Sequence, residues 1–154
     1  MKTDLPLPHR DERVSALLDA WGTPYSWGAG RPTITGWPRG LPGTGGGIGY
    51  DCSGFAQAAL VRLGILKEGT PDRTAAELFD ATRSLRPHEA PQTGDLCFYG
   101  RTRIGHVTVL LGPECAIGAN GGTSRTNGDD PSAYVDLCRP AYRRDFGGIR
   151  TFRP

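Results

Sequence analysis

Residues Gly94–Ala119 read GDLCFYGRTRIGHVTVLLGPECAIGA. Three short runs stand out: Asp95–Gly100, His106–Gly112 and Cys115–Ala119. Each is rich in β-branched, aromatic or other apolar residues, and each is bounded by Gly, Pro or Asp, the pattern of successive strands. Two more such runs follow, Ala133–Cys138 and Gly147–Phe152. Upstream of Gly94 the apolar period is helical. Val14, Leu17, Leu18 and Trp21 fall at i, i+3, i+4 and i+7 of a helix predicted over Asp11–Trp21 and stopped by Gly22 and Pro24. A second helix is predicted from Cys52, with Phe55, Ala56, Ala59, Leu60 and Leu63 as its apolar stripe and Gly64 as its end. A third starts near Thr74, where Thr74 and Glu77 form a capping box ahead of Leu78 and Phe79. Helices first and strands second predict an α+β fold, with N-terminal helices packed on a C-terminal antiparallel sheet.

The 154 residues are enough for one core, and no repeat or linker divides them, so residues 1–154 are expected to form a single domain with a flexible tail over 1–10. The 23 glycines and 13 prolines cluster from Gly28 to Gly49 and from Gly118 to Gly128, which predicts long surface loops. The net charge of +2 is scattered, which argues against nucleic-acid binding. No stretch has the length of a membrane span, and Met1–Arg10 lacks the apolar centre of a signal peptide. The four cysteines, Cys52, Cys97, Cys115 and Cys138, show no C-x-x-C spacing. With three histidines in the chain, neither a metal site nor any cofactor is expected. Cys97, Cys115 and Cys138 sit in strand runs and read as core; a Cys115–Cys138 disulfide is left open.

Cys52 lies between a glycine-rich loop and a helix start. A thiol there faces the positive end of the helix dipole and unpaired backbone N–H groups, which favour thiolate and offer an oxyanion hole. The bland alternative is a small core residue. His106 opens an apolar strand, whereas His9 is in the tail and His88 in a Pro-flanked loop. A cysteine nucleophile needs a base brought to it by the fold, and His106 is the histidine on a rigid element.

Three segments carry a family resemblance. Gly22-Thr23-Pro24-Tyr25-Ser26-Trp27-Gly28 is similar to the G-x-P-Y-x-W-G turn of the NlpC cell-wall cysteine peptidases, a compact branch of the papain-like fold. Tyr50-Asp51-Cys52-Ser53-Gly54-Phe55 resembles that family's nucleophile motif. Gly94-Asp95-Leu96-Cys97-Phe98 followed by Gly105-His106-Val107 resembles its strand-borne histidine segment. The resemblance implies Cys52 as nucleophile and His106 as base. It implies Tyr25 beside the oxyanion or substrate, and Asp51 and Ser53 lining the acyl-side subsite. Without the resemblance, Tyr25 reads as a packed ring and Asp51 as a helix-start hydrogen bond. Asp95 reads as a turn former.

There are two departures. The family's third polar residue, which orients the imidazole, falls near Gly118, which has no side chain. Position 120 shares a strand face with 118, so Asn120 is the candidate orienter. The Ala29–Gly49 loop also looks long for the family. Within it Trp37 and Arg39 are candidates for a cleft rim or lid, set against a plain surface excursion.

The implied substrate is the peptidoglycan stem peptide, cut between D-glutamate and the diamino acid. Alternatives are a Cys–His amidase, acyltransferase or deamidase on another substrate, and a non-catalytic wall-binding or virion structural module. No nucleic-acid or membrane partner is expected. Without a signal peptide, the expected setting is action on the wall after release by phage lysis, from a virion or by an injection apparatus, with virion or secretion proteins as partners.

Overall fold

The computed structural model describes Leu5, Pro8 and residues 10–154; most of the expected tail, with His9, lies outside the described residues. Helix α1, Glu12–Leu18, starts at Asp11, whose carboxylate accepts the Val14 N–H at 2.9 Å. It ends earlier than its apolar stripe suggested. Val14 and Leu17 are buried, but Trp21 is 54% exposed, because the chain turns away after Leu18 and Gly22 takes a positive φ of 92°. The Trp21 indole instead donates to Asp136 at 3.1 Å.

Helix α2, Cys52–Arg62, is the centre of the molecule: every residue from Gly54 to Leu60 is buried. Its one buried polar side chain, Gln57, donates to Ser53 O, Asp72 Oδ1 and Arg73 O, and accepts the Arg73 N–H. A buried amide is tolerated when its hydrogen-bonding capacity is used in this way. Phe55 is fully buried, and replacing such a ring by Ala costs about 3–5 kcal/mol. Helix α3, Ala75–Ala81, begins at Thr74 with both halves of the capping box formed.

Two two-residue strands, β1 (Leu41–Pro42) and β2 (Ile48–Gly49), pair with each other inside the Gly/Pro-rich loop. The remaining strands are β3 (Arg83–Ser84), β4 (Leu96–Tyr99), β5 (His106–Gly112), β6 (Cys115–Asn120), β7 (Tyr134–Cys138) and β8 (Phe146–Thr151). They form an antiparallel sheet in the order β3-β8-β4-β5-β6-β7. The fold is therefore α+β, with N-terminal helices on a C-terminal antiparallel sheet. Alternation along the strands sends Val107, Val109, Leu111, Ile117 and Val135 into the core shared with α2. Cys97, Tyr99, Leu110, Ala116 and Cys138 pack together in a second cluster, closed by Phe146 and Ile149. All four cysteines are free thiols, so Cys115 and Cys138 are not bridged.

The long loop is built rather than loose. Ile34 N–H donates to Glu68 at 2.9 Å, Gly47 N–H to Asn127 at 2.7 Å, and the Thr23 hydroxyl to Pro38 O at 2.8 Å.

Candidate active site

One side of the site is built by consecutive residues. Asp51 caps α2: its Oδ1 accepts the Gly54 N–H at 2.7 Å and its Oδ2 accepts the Gly28 N–H at 3.1 Å. One carboxylate thus ties the helix start to the 22–28 turn. Tyr50 N–H donates to Pro24 O and Ser26 N–H to Tyr50 O, both at 3.0 Å, which lays Tyr25 alongside Tyr50. The approach requires a glycine at position 54, where a Cβ would lie 2.3 Å from Ala29 O. Cys52, Asp51, Ser53 and Tyr25 are brought together here. The Tyr25 phenol is raised above its ordinary range by burial first, then by Cys52 and Asp51. The Ser53 side chain hydrogen-bonds Asp51, whose carboxyl is nevertheless pushed up to about 6, chiefly by burial.

The Cys52 thiol is pushed up to about 11, by burial first and by the Asp51 charge second. The backbone N–H groups of Val107, Ser53 and Cys52 oppose the shift. The expectation that the helix end would favour thiolate in the free protein is therefore corrected: desolvation outweighs the dipole, and Cys52 rests as a thiol.

The other side is assembled by strand register. In the β5–β6 pair Val109 faces Ile117 and Leu110 faces Ala116. Continuing that register toward the open end of the hairpin sets Asn120 across from His106. There His106 Nε2 and Asn120 Oδ1 are 2.9 Å apart. Gly118 helps this contact, because a Cβ at 118 would lie 2.6 Å from Thr108 Cγ2 and 3.2 Å from Asn120 Oδ1. The place where the family carries its polar residue is thus kept clear for the side chain two positions on.

A further residue joins them. Tyr142, between β7 and β8, puts its hydroxyl 3.2 Å from His106 Nε2 and 3.4 Å from Asn120 Oδ1. Its ring meets Tyr99 edge-on, with centroids 5.3 Å apart. Sequence reading passed over Tyr142 because it sits in an arginine-rich stretch after Pro140 that carries no motif.

His106 is pushed down to about 4, by burial first and by the Arg143 charge second; Asn120 and Asp145 act in the opposite sense. The imidazole is neutral at neutral pH. Its Nε2 is taken by Asn120 and Tyr142, so Nδ1 is the nitrogen left for a proton from outside this cluster. The two sides meet at the start of β5, where the Cys52 sulfur meets the N–H of Val107, the residue after His106. A half-buried neutral thiol and a buried neutral imidazole suit proton transfer during attack rather than a preformed ion pair.

Trp37 is partly buried, with its ring 6.0 Å from Phe55 and 6.1 Å from Tyr50, and anchors the long loop to the core. Arg39 is exposed on that loop. Among the described residues no group of three His, Cys, Asp or Glu side chains is placed to hold a metal. No helix there is long and apolar enough to cross a membrane.

RipB of Mycobacterium tuberculosis, named a peptidoglycan endopeptidase, is 35% identical over 104 residues, 68% of this chain and 40% of RipB. CwlT of Bacillus subtilis, named a bifunctional muramidase/DL-endopeptidase, is 34% identical over 137 residues, 84% of this chain and 33% of CwlT. The chain thus spans well under half the length of either relative. RipD of M. tuberculosis, described as a non-catalytic NlpC/p60 domain protein adapted to peptidoglycan binding, superposes with a TM-score of 0.60 over 92% of this chain and 98% of that one; at 22% identity the likeness concerns the fold alone. Residues 22–137, which contain the Cys52, His106 and Asn120 arrangement, match the NlpC/P60 family, and the chain belongs to that family.

Proposed function

We propose that the protein is a cysteine endopeptidase of peptidoglycan, cutting the stem peptide between D-glutamate and the diamino acid. The observation that carries this reading is the His106–Asn120 pair held at the start of β5, where the Cys52 sulfur meets the neighbouring Val107 N–H. The names of RipB and CwlT support peptidoglycan as substrate, and CwlT's supports a D,L bond.

In this mechanism Cys52 attacks the D-glutamyl carbonyl while its proton moves to His106 Nδ1. The first-turn N–H groups of α2 and the Tyr25 hydroxyl face the oxyanion. The tetrahedral adduct expels the diamino acid's amine, which takes the proton from His106. Water, deprotonated by the same imidazole, then releases the acyl group from Cys52. Asp51 and Ser53 line the acyl-side subsite.

RipD is described as carrying this fold in a non-catalytic, peptidoglycan-binding protein, so the second reading is a wall-binding domain without turnover. The proposed setting is action on the bacterial wall after release by phage lysis, from a virion or by an injection apparatus.

The test is digestion of defined peptidoglycans by wild type and Cys52→Ala, with mass spectrometry of the released fragments. Fragments with a new free amine on the diamino acid, absent with the variant, are expected. Cleavage between sugar and peptide would make the protein an amidase instead. Absence of fragments from several wall types would overturn the hydrolase reading, and retained binding would then favour the second one.

A further inference from the structure

The proposed chemistry sets a condition on His106 that Asn120 alone does not secure. To accept the thiol proton at Nδ1, the neutral imidazole must carry its own proton on Nε2. That requires an oxygen facing Nε2. An asparagine amide presents either its oxygen or its NH2, and the second choice would stabilise the opposite tautomer, with Nδ1 already protonated. The Asn120 Nδ2 is buried without a hydrogen-bond partner, so no neighbour on that side fixes the amide.

The groups facing Oδ1 do. Arg143 can only donate, and it hydrogen-bonds the Tyr142 hydroxyl. Its guanidinium is itself fixed by Asp145, at 2.9 and 2.7 Å, and lies over the Tyr99 ring. With one lone pair of the phenol oxygen taken by Arg143, its hydrogen is free to continue to Asn120 Oδ1 at 3.4 Å. Nε2–H then has two oxygens before it, Oδ1 at 2.9 Å and the phenol at 3.2 Å. The Nε2 hydrogen and the phenol hydrogen in this arrangement both point at oxygens. The same arrangement suits the imidazolium formed during the reaction, which burial and Arg143 otherwise disfavour.

Resting on the reading of His106 as base, we propose that Tyr142 is a positioning residue: its hydroxyl, oriented by Arg143, fixes the Asn120 carbonyl on His106 Nε2 and so keeps Nδ1 open to the Cys52 proton. The phenol stays protonated through neutral pH, being pushed up to about 12, mainly by burial.

Tyr142→Phe keeps the ring on Tyr99 and removes the hydroxyl. Tyr142 is 41% exposed, so the variant is expected to fold. Nitrogen-15 NMR of the histidines reads the tautomer without any turnover. Wild type should show His106 with the proton on Nε2, and Tyr142→Phe should show a growing Nδ1–H population. With a stem-peptide substrate, kcat should fall about five- to tenfold, the worth of one hydrogen bond, at unchanged KM. An unchanged tautomer ratio in Tyr142→Phe overturns the inference whatever the turnover. A wild type that shows the Nε2–H tautomer but cuts no wall peptide would instead sink the proposed function.

Discussion

The nucleophile side and the base side of this cleft are built on different length scales. Asp51, Cys52, Ser53 and Gly54 are consecutive, and one carboxylate joins them to the Tyr25 turn. On the base side, His106 opens β5, Asn120 ends β6 and Tyr142 follows β7. The first side is a local motif that a helix start organises. The second exists only once three strands are in register. The two also differ in electrostatics: burial raises the acid on one side and lowers the base on the other, so both partners rest neutral. In the proposed mechanism charge is created only when substrate arrives, and the polar groups of the base side receive it.

This contrast can be broken at either side. Apart from Cys52 and His106 themselves, the largest effect is expected at Asn120. Asn120→Ala should lower kcat by about 10- to 100-fold, since it frees the imidazole and leaves its Nε2 without its shortest contact. Steady-state kinetics on a stem peptide check this, and a loss confined to KM would show that Asn120 serves binding instead.

A smaller effect is expected at Asp51, where the charge and the cap separate. Above pH 6 or so the Asp51 carboxylate is ionised and raises the neighbouring thiol. Asp51→Asn keeps a cap acceptor for the Gly54 N–H, asparagine being as good a cap as aspartate, but removes the charge and the acceptor for the Gly28 N–H. The midpoint of Cys52 alkylation against pH should therefore move down from about 11 toward the ordinary thiol range. An unmoved midpoint would show that the Asp51 charge does not raise the thiol and that burial alone does.

What the sequence made legible follows the same division. The Cys52 motif, the capping box at Thr74 and the strand runs are local patterns, and the fold class follows from them. Asn120 was reachable from the two-residue period of β6. Tyr142 was not, because its contact with His106 depends on where the β7–β8 connection crosses the sheet. The contacts of Trp37 with Tyr50 and Phe55 were not legible, because an aromatic in a Gly/Pro-rich loop reads alike whether it faces solvent or core. The thiolate expectation at Cys52 erred for a related reason: a helix start is visible in sequence, whereas the depth at which the fold buries it is not.

The central claim is that Cys52 and His106 act as one unit across these two sides. Turnover of a defined stem peptide by wild type, Cys52→Ala, His106→Ala and the double variant tests it most directly. Groups that act together are strongly non-additive. Each single change should cost on the order of 10³-fold or more, with the double variant no slower than the worse single. Losses that multiply in the double variant, or turnover surviving in Cys52→Ala, would contradict the claim.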